Sequence, residues 1–289
     1  MKKQQKSMLV LAMVTAFITF GLFLPGLVGA GDLEPPPEAV DGGGDPVSTM
    51  KTLDEVEPRI PISPTDSFPF TIDSSGSYYL TGDLSVGGAG ININADNVTI
   101  DLMGYTLSGN NAGIGIILTG YSNVEIRNGT IRDFTIGIFE NSISGRGHRV
   151  IGVRVISNSW RGIYIGSGAA LIKNCIVTGS GGDYGIYATG GSIITGNTAY
   201  DNGGIGIIGR YGSIVTGNTA YDNGGNGIYG YYGATVTNNT AYQNGDHGIA
   251  VYKGFADGNT TIENNQNAGT AVDLWCNQCT KGVNHALTP

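Results

Sequence analysis

A chain of 289 residues, 40% of them hydrophobic and only 13% charged, can bury a sizeable core, and a formal net charge of −8 argues against nucleic acid as a partner. The 49 glycines do not signal low complexity or disorder, because regular apolar columns run between them.

The chain opens with Lys2, Lys3 and Lys6, an apolar run from Met8 to Leu24, then Pro25-Gly26 and Val28-Gly29-Ala30. That order predicts a signal peptide over residues 1–30, cut after Ala30. The alternative is a retained anchor, since the apolar run approaches the shortest membrane span. No cysteine follows the run to carry a lipid. The expected location is secreted, periplasmic or cell-surface, with no membrane span after cleavage. Loss of the three lysines would leave 12 basic against 23 acidic residues, a net charge of −11. Residues 31–66 read as a Pro/Gly/acidic linker, with nine acids against Lys51 and Arg59. Within it, Thr52-Leu53-Asp54-Glu55 has capping-box spacing. A short segment there suits a cap over the bare end of a solenoid, with a partner-binding motif as the alternative.

From Ser192, three stretches follow one another at 21-residue steps: SIITGNTAYDNGGIGIIGRYG, SIVTGNTAYDNGGNGIYGYYG and ATVTNNTAYQNGDHGIAVYKG. A fixed period of this size marks a solenoid. Gly-Ile pairs extend the register upstream, at Gly90-Ile91, Gly115-Ile116, Gly137-Ile138, Gly162-Ile163, Gly185-Ile186, Gly206-Ile207, Gly227-Ile228 and Gly248-Ile249, and Ala271-Val272 closes the series. A second column reads Leu102, Ile126, Val150, Ile172, Ile194, Val215, Val236, Ile262; a third reads Leu107, Ile131, Val155, Val177, Ala199, Ala220, Ala241. Each unit thus carries three short runs of period-2 alternation between Gly, Asn and Asp clusters, which means strands and turns. The expected fold is all-β: a right-handed parallel β-helix of about nine coils over residues 67–274, three strands per coil, with a short N-terminal cap and a C-terminal cap or tail at 275–289. A leucine-rich repeat shares the period but needs a Leu-rich frame that is missing here. Asn197, Asn218, Asn239 and Asn265 form a corner column, with Cys175 one coil earlier. Asn tolerates left-handed corners, and stacked Asn side chains can bond along a ladder.

The segment FTIDSSGSYYLTGDLSVGGAGININADNVTIDLMGYTLSG, Phe70 to Gly109, resembles the opening of right-handed parallel β-helix repeat proteins, the pectate-lyase-like group that includes NosD-like periplasmic domains. The resemblance covers about Phe68 to Val272. It implies the fold but no single function, because that fold carries lyases, hydrolases, epimerases, adhesins and binding proteins.

Two surfaces are candidates. From Glu125 to Lys173, Arg127, Arg132, Arg146, Arg149, Arg154, Arg161 and Lys173 outnumber Glu125, Asp133 and Glu140. They are either soluble outward positions or a patch for an anionic polysaccharide. Tyr200, Tyr221 and Tyr242 must face outward if the alanines beside them face in, and a second outward column reads Phe139, Tyr164, Tyr187, Ile208, Tyr229. Such rows either bind sugar rings or stabilise the coil by stacking. Asp201 and Asp222 share a column and read as turn residues, with a calcium or acid–base pair as the alternative. Asp246-His247 interrupts the repeat and is a weaker candidate.

The paired Asp-Asp, Gly-His-Gly and Asp-Pro-His signatures of β-helix enzymes that cut or epimerise polyuronates are missing. Arg132, Arg154 and Asp133 are the weak catalytic candidates that remain. Cys276 and Cys279 are expected to form a short disulfide, with a free thiol pair or a metal site including His285 as alternatives. No metal site or cofactor is expected, and copper is not carried over from the NosD-like resemblance, because His, Met and Cys are too scattered. Two functions remain: a non-catalytic polysaccharide-binding or structural module using Tyr200, Tyr221, Tyr242, Arg127 and Arg161, or a lyase or epimerase on a uronic-acid polymer.

Overall fold

A computed structural model describes residues 59–142, 144–264 and 273–287. The signal segment, most of the linker and the capping-box segment lie outside the described residues. Those described form a parallel β-solenoid with no helix among them. Each coil sends one strand into a ten-stranded sheet and up to two short strands into a 19-stranded sheet. In one coil these are Leu171–Lys173, Ile176–Thr178 and Tyr184–Ala188. Ten rungs stand in the first sheet, against about nine expected. The extra rung is Phe70–Ile72, which pairs with Ile91–Ile93 below the first Gly-Ile anchor.

The anchors stack as read: Ile116, Ile138, Ile163, Ile186, Ile207, Ile228 and Ile249 follow one another in register and are fully buried. Burying each such side chain contributes roughly 1.5–3 kcal/mol. Glycine precedes each isoleucine because the backbone runs against the next coil. A Cβ on Gly206 would meet Asn223 Nδ2 and the Gly227 carbonyl oxygen, both at 2.7 Å. The Val155–Val177–Ala199–Ala220–Ala241 column is also in register.

The ends depart from the expected columns. Ile100 pairs with Ile126, so Leu102 is not in that column. Val236 pairs with Ala256 and not Ile262. Leu274 pairs with Ile249, two residues beyond Val272, which lies outside the described residues. The solenoid also begins before residue 67 and continues past 274. Arg59–Ile62 already pairs with Ser77–Leu80, and His285–Leu287 pairs with Thr260–Ile262.

The asparagines point inward. Asn197, Asn218, Asn239 and Asn259 are at most 1% exposed, and each Nδ2 donates to the Oδ1 of the Asn one coil on, at 3.0 Å for Asn197 to Asn218. Asn259, not Asn265, continues this ladder, and Asn284 closes it. Asn202, Asn223, Asn244 and Asn264 form a second ladder that ends on Asp273. The left-handed corner residue is the one before each ladder member: Gly196, Gly217 and Asn238 in the first ladder, Asp201, Asp222 and Gln243 in the second. The ladder Asn is therefore chosen for its amide, which satisfies buried backbone groups that the corner leaves unpaired.

Candidate functional site

The outer face of the ten-stranded sheet carries an aromatic column, Phe139, Tyr164, Tyr187, Ile208 and Tyr229, in consecutive rungs. Tyr164 and Tyr187 stack with centroids 4.4 Å apart and planes 9° apart. Burial first, then Tyr187, holds the Tyr164 phenol above its ordinary pKa, so it stays a neutral hydrogen-bond donor. Further along the strands a second column holds Arg210, Tyr231 and Tyr252.

The corner that follows is built unusually. Tyr211, Tyr232 and Lys253 are left-handed, with φ of 50°, 47° and 51°, in consecutive coils. One coil earlier the corner is Gly190, which adopts φ 62° without strain. A bulky residue there costs about 1–3 kcal/mol. The result is a dense aromatic corner. Tyr232 packs on Tyr211 and Tyr231, and Tyr231 stacks on Tyr252. Arg210 lies over the Tyr231 ring at 4.7 Å and Lys253 over Tyr232 at 4.9 Å. Tyr211 remains 53% exposed.

Two grooves open between these columns. The larger, about 520 Å³, is lined by Asn141, Arg146, Tyr164, Ser167, Tyr187 and Tyr211, with Gly166, Gly168 and Gly190 in its wall. The Ser167 hydroxyl, buried at the groove, has no hydrogen-bond partner among the described residues. The smaller, about 210 Å³, is lined by Tyr184, Ile205, Ile208, Arg210, Tyr229 and Tyr231. Arg210 joins the two: its Nη1 donates to the Tyr187 hydroxyl at 3.3 Å and its Nη2 to the Tyr211 hydroxyl at 3.2 Å.

Of the residues singled out from sequence, Arg146, Tyr164 and Tyr187 line the larger groove and Ile208 and Tyr229 the smaller, while the others lie elsewhere or are already engaged. Arg127 pairs with Asp101 at 3.0 Å and with Glu125, which also holds Arg149. Arg161 donates to Asp183 at 2.6 Å with its guanidinium 3.7 Å above the Trp160 ring. Arg132 bonds Asp133, a left-handed corner residue, at 2.7 Å. Arg154 is exposed on the 19-stranded sheet and pairs through its backbone with Thr130, not Arg132. These three line neither groove. Asp201 and Asp222 are exposed corner residues. His247 stacks on Trp275. Cys276 and Cys279 are bonded to each other in the last described coil. Among the described residues no group of three His, Cys, Asp or Glu side chains gathers as metal ligands would.

Tyr200, Tyr221 and Tyr242 stack outward on the 19-stranded sheet, with centroids 4.9 and 4.8 Å apart and planes within 2°. Both faces of Tyr221 are therefore covered, and a sugar ring has no free face there. Tyr221→Ala is expected to lower unfolding stability by about 1–3 kcal/mol, because two stacked contacts and their buried area disappear. Urea titration checks this, and a midpoint equal to that of the parent would count against it. Sequence reasoning missed Arg210, Tyr211, Tyr231, Tyr232, Tyr252 and Lys253. Their signal was the RYG, YYG and YKG ending each of the three repeats, an aromatic recurring where a corner glycine is the default.

A comparison with curated proteins by sequence found no match. Among solved structures the chain is similar to the ORF18 protein of Geobacillus virus E2, at 12% identity and a TM-score of 0.53, covering 80% of this chain and 52% of that one. It is similar to a tailspike protein of E. coli bacteriophage HK620, at 12% identity and a TM-score of 0.50, covering 74% and 57%. The mannuronan C-5 epimerase AlgE4 A-module of Azotobacter vinelandii aligns at 18% identity and a TM-score of 0.48, covering 70% and 72%. The chain thus spans little more than half of the two viral proteins, and the likenesses concern the fold. With a matching family model over residues 137–284, about half of its length, the chain belongs to the right handed beta helix region family.

Proposed function

We propose that this protein is an exported, non-catalytic module that binds a polysaccharide along the outer face of its ten-stranded sheet. The observation that carries the reading is the larger groove, where the Tyr164, Tyr187 and Tyr211 rings stand beside the Asn141 and Arg146 side chains. Pyranose rings offer apolar C–H faces to aromatics and hydroxyls to convergent polar groups. A polymer fits better than a single sugar because the two grooves meet at Arg210. Export rests on the N-terminal sequence alone. The uronate lyase or epimerase reading needs Arg132, Arg154 and Asp133 to act together, and the Arg132–Asp133 pair gives it less support than the grooves give binding.

The test removes an exposed ring without straining the corner. Tyr211→Gly suits the left-handed backbone, so the fold should be retained. Its affinity on a polysaccharide panel should fall about tenfold or more, as for an aromatic anchor in an interface. The assay is affinity electrophoresis against the parent protein. Unchanged mobility shifts in the variant, or release of unsaturated products by the parent, would refute the reading.

A further inference from the structure

We infer that the ligand of these grooves is a polyanion whose carboxylate or sulfate groups are held by Arg210, with Arg146 as a second contact. This rests on the polysaccharide reading above and names the class of polymer.

The argument comes from how the arginines are satisfied. Arg127, Arg149, Arg132 and Arg161 each face a carboxylate within 3.2 Å. Arg210 and Arg146 have no carboxylate partner among the described residues, and both line a groove. Arg154 and Lys173 also lack one, but they lie on the 19-stranded sheet and line neither groove. Arg210 is held by neutral groups only: two tyrosine hydroxyls accept from its Nη atoms, and the Tyr211 and Tyr231 rings lie 5.0 and 4.7 Å from its guanidinium carbon. Its Nε is buried without a partner among the described residues.

A half-buried cation ordinarily has a counter-charge. Here the fork is fixed in advance while several of its five donors remain unused, so an incoming anion finds the ordering cost already met. The hydroxyls of Tyr187 and Tyr211 accept from Arg210, which leaves their own protons free to donate to an anionic oxygen. No Asp or Glu side chain lines either groove; the Glu140 carboxylate behind the larger one is buried and taken up by the Ser167 and Ser142 backbone N–H groups. The coil does not itself require an arginine, since Tyr231 and Tyr252 occupy the same column in the next two coils.

The experiment measures binding of the whole protein to polygalacturonate and alginate, each beside its carboxyl-reduced neutral form, and to dextran sulfate beside dextran. The parent should prefer at least one anionic polymer over its neutral counterpart by about tenfold or more, with affinity falling as salt rises. Arg210→Gln should bring the two affinities together, and a urea unfolding midpoint close to the parent's shows that the variant is folded. Arg210→Lys should recover only part of the preference, because it keeps the charge but not the fork. Arg149→Gln, on the other sheet, should change nothing. A preference for dextran sulfate alone would support the inference with sulfate as the group read. Equal binding of charged and neutral forms, or a preference that survives in an Arg146→Gln/Arg210→Gln double variant, would overturn it while leaving the polysaccharide reading intact. Binding to no polymer would sink both.

Discussion

Asn218→Ala is expected to lower unfolding stability by about 3 kcal/mol or more, well beyond the loss of one ordinary hydrogen bond. Asn218 is 1% exposed, and every polar atom of its side chain is used. Its Oδ1 accepts from both the backbone N–H and the Nδ2 of Asn197, while its own Nδ2 donates to the Ile194 carbonyl and to Asn239 Oδ1. Alanine orphans donors and acceptors in the coils on both sides at once, each buried away from water. Asn218→Asp should be at least as damaging despite its matching shape. A carboxylate has no N–H for Ile194 or Asn239, so lone pairs would face lone pairs in a low-dielectric interior. Asp222→Asn, a change at an exposed left-handed corner, is the control and should move the midpoint little. Urea unfolding of the three variants decides the matter. A loss below about 1 kcal/mol in Asn218→Ala would mean that the ladder contributes no more than an average exposed hydrogen bond.

The inner columns were legible in the sequence because a stacked coil repeats the same inward residue. Ile207, Ile228 and Ile249 or Ala199, Ala220 and Ala241 can be read by eye once the step is constant. Leu102 for Ile100, Ile262 for Ala256 and Asn265 for Asn259 are each shifted by an even number of residues. For Leu102, buried as Ile100 is, a strand pattern of period 2 is blind to the slip, whereas Ile262 lies past a corner and pairs with the outward Tyr242. The slips fall where the step departs from 21 residues, as between Asn239 and Asn259, which are 20 apart. The candidate site was harder to read for another reason. Sequence reasoning weighed arginines by number, and the Arg-rich coils looked basic. Their charge is largely cancelled by Asp101, Glu125, Asp133 and Asp183, acids brought into contact by stacking or by a corner. Arg210 stood alone in a glycine- and tyrosine-rich stretch and drew no notice, yet among the described residues it has no acid partner and lies beside tyrosine-lined grooves, as Arg146 does. Charge density along the chain is therefore a poor guide in a solenoid, where residues about one coil apart decide which cation is neutralised.

Acidification should weaken the fold through His148. The ring is 1% exposed, and neither Nδ1 nor Nε2 has a hydrogen-bond partner among the described residues. It lies beside Gly145, where an added Cβ would come within 2.9 Å of Nε2. Burial pushes its pKa down to about 4 from the ordinary 6.5, since the charged ring would lose its hydration without gaining a counter-charge. A depressed pKa in the folded state means that the unfolded chain takes up this proton first as pH falls. Stability is accordingly whole above about pH 6.5, declines between there and about pH 4, and is then lower by roughly 3 kcal/mol, following about 1.4 kcal/mol per pH unit. Denaturant midpoints from about pH 7 down to about pH 4.5 measure the slope in a window where most carboxylates have yet to titrate. His148→Leu should flatten that slope and, by removing two unsatisfied ring nitrogens, leave stability at neutral pH equal or higher. The ring would then be acting as an apolar filler in the neutral coil and as a destabilising charge in acid. If His148→Leu and the parent lose stability in parallel over this range, the acid sensitivity has another source and the ring is solvated in solution.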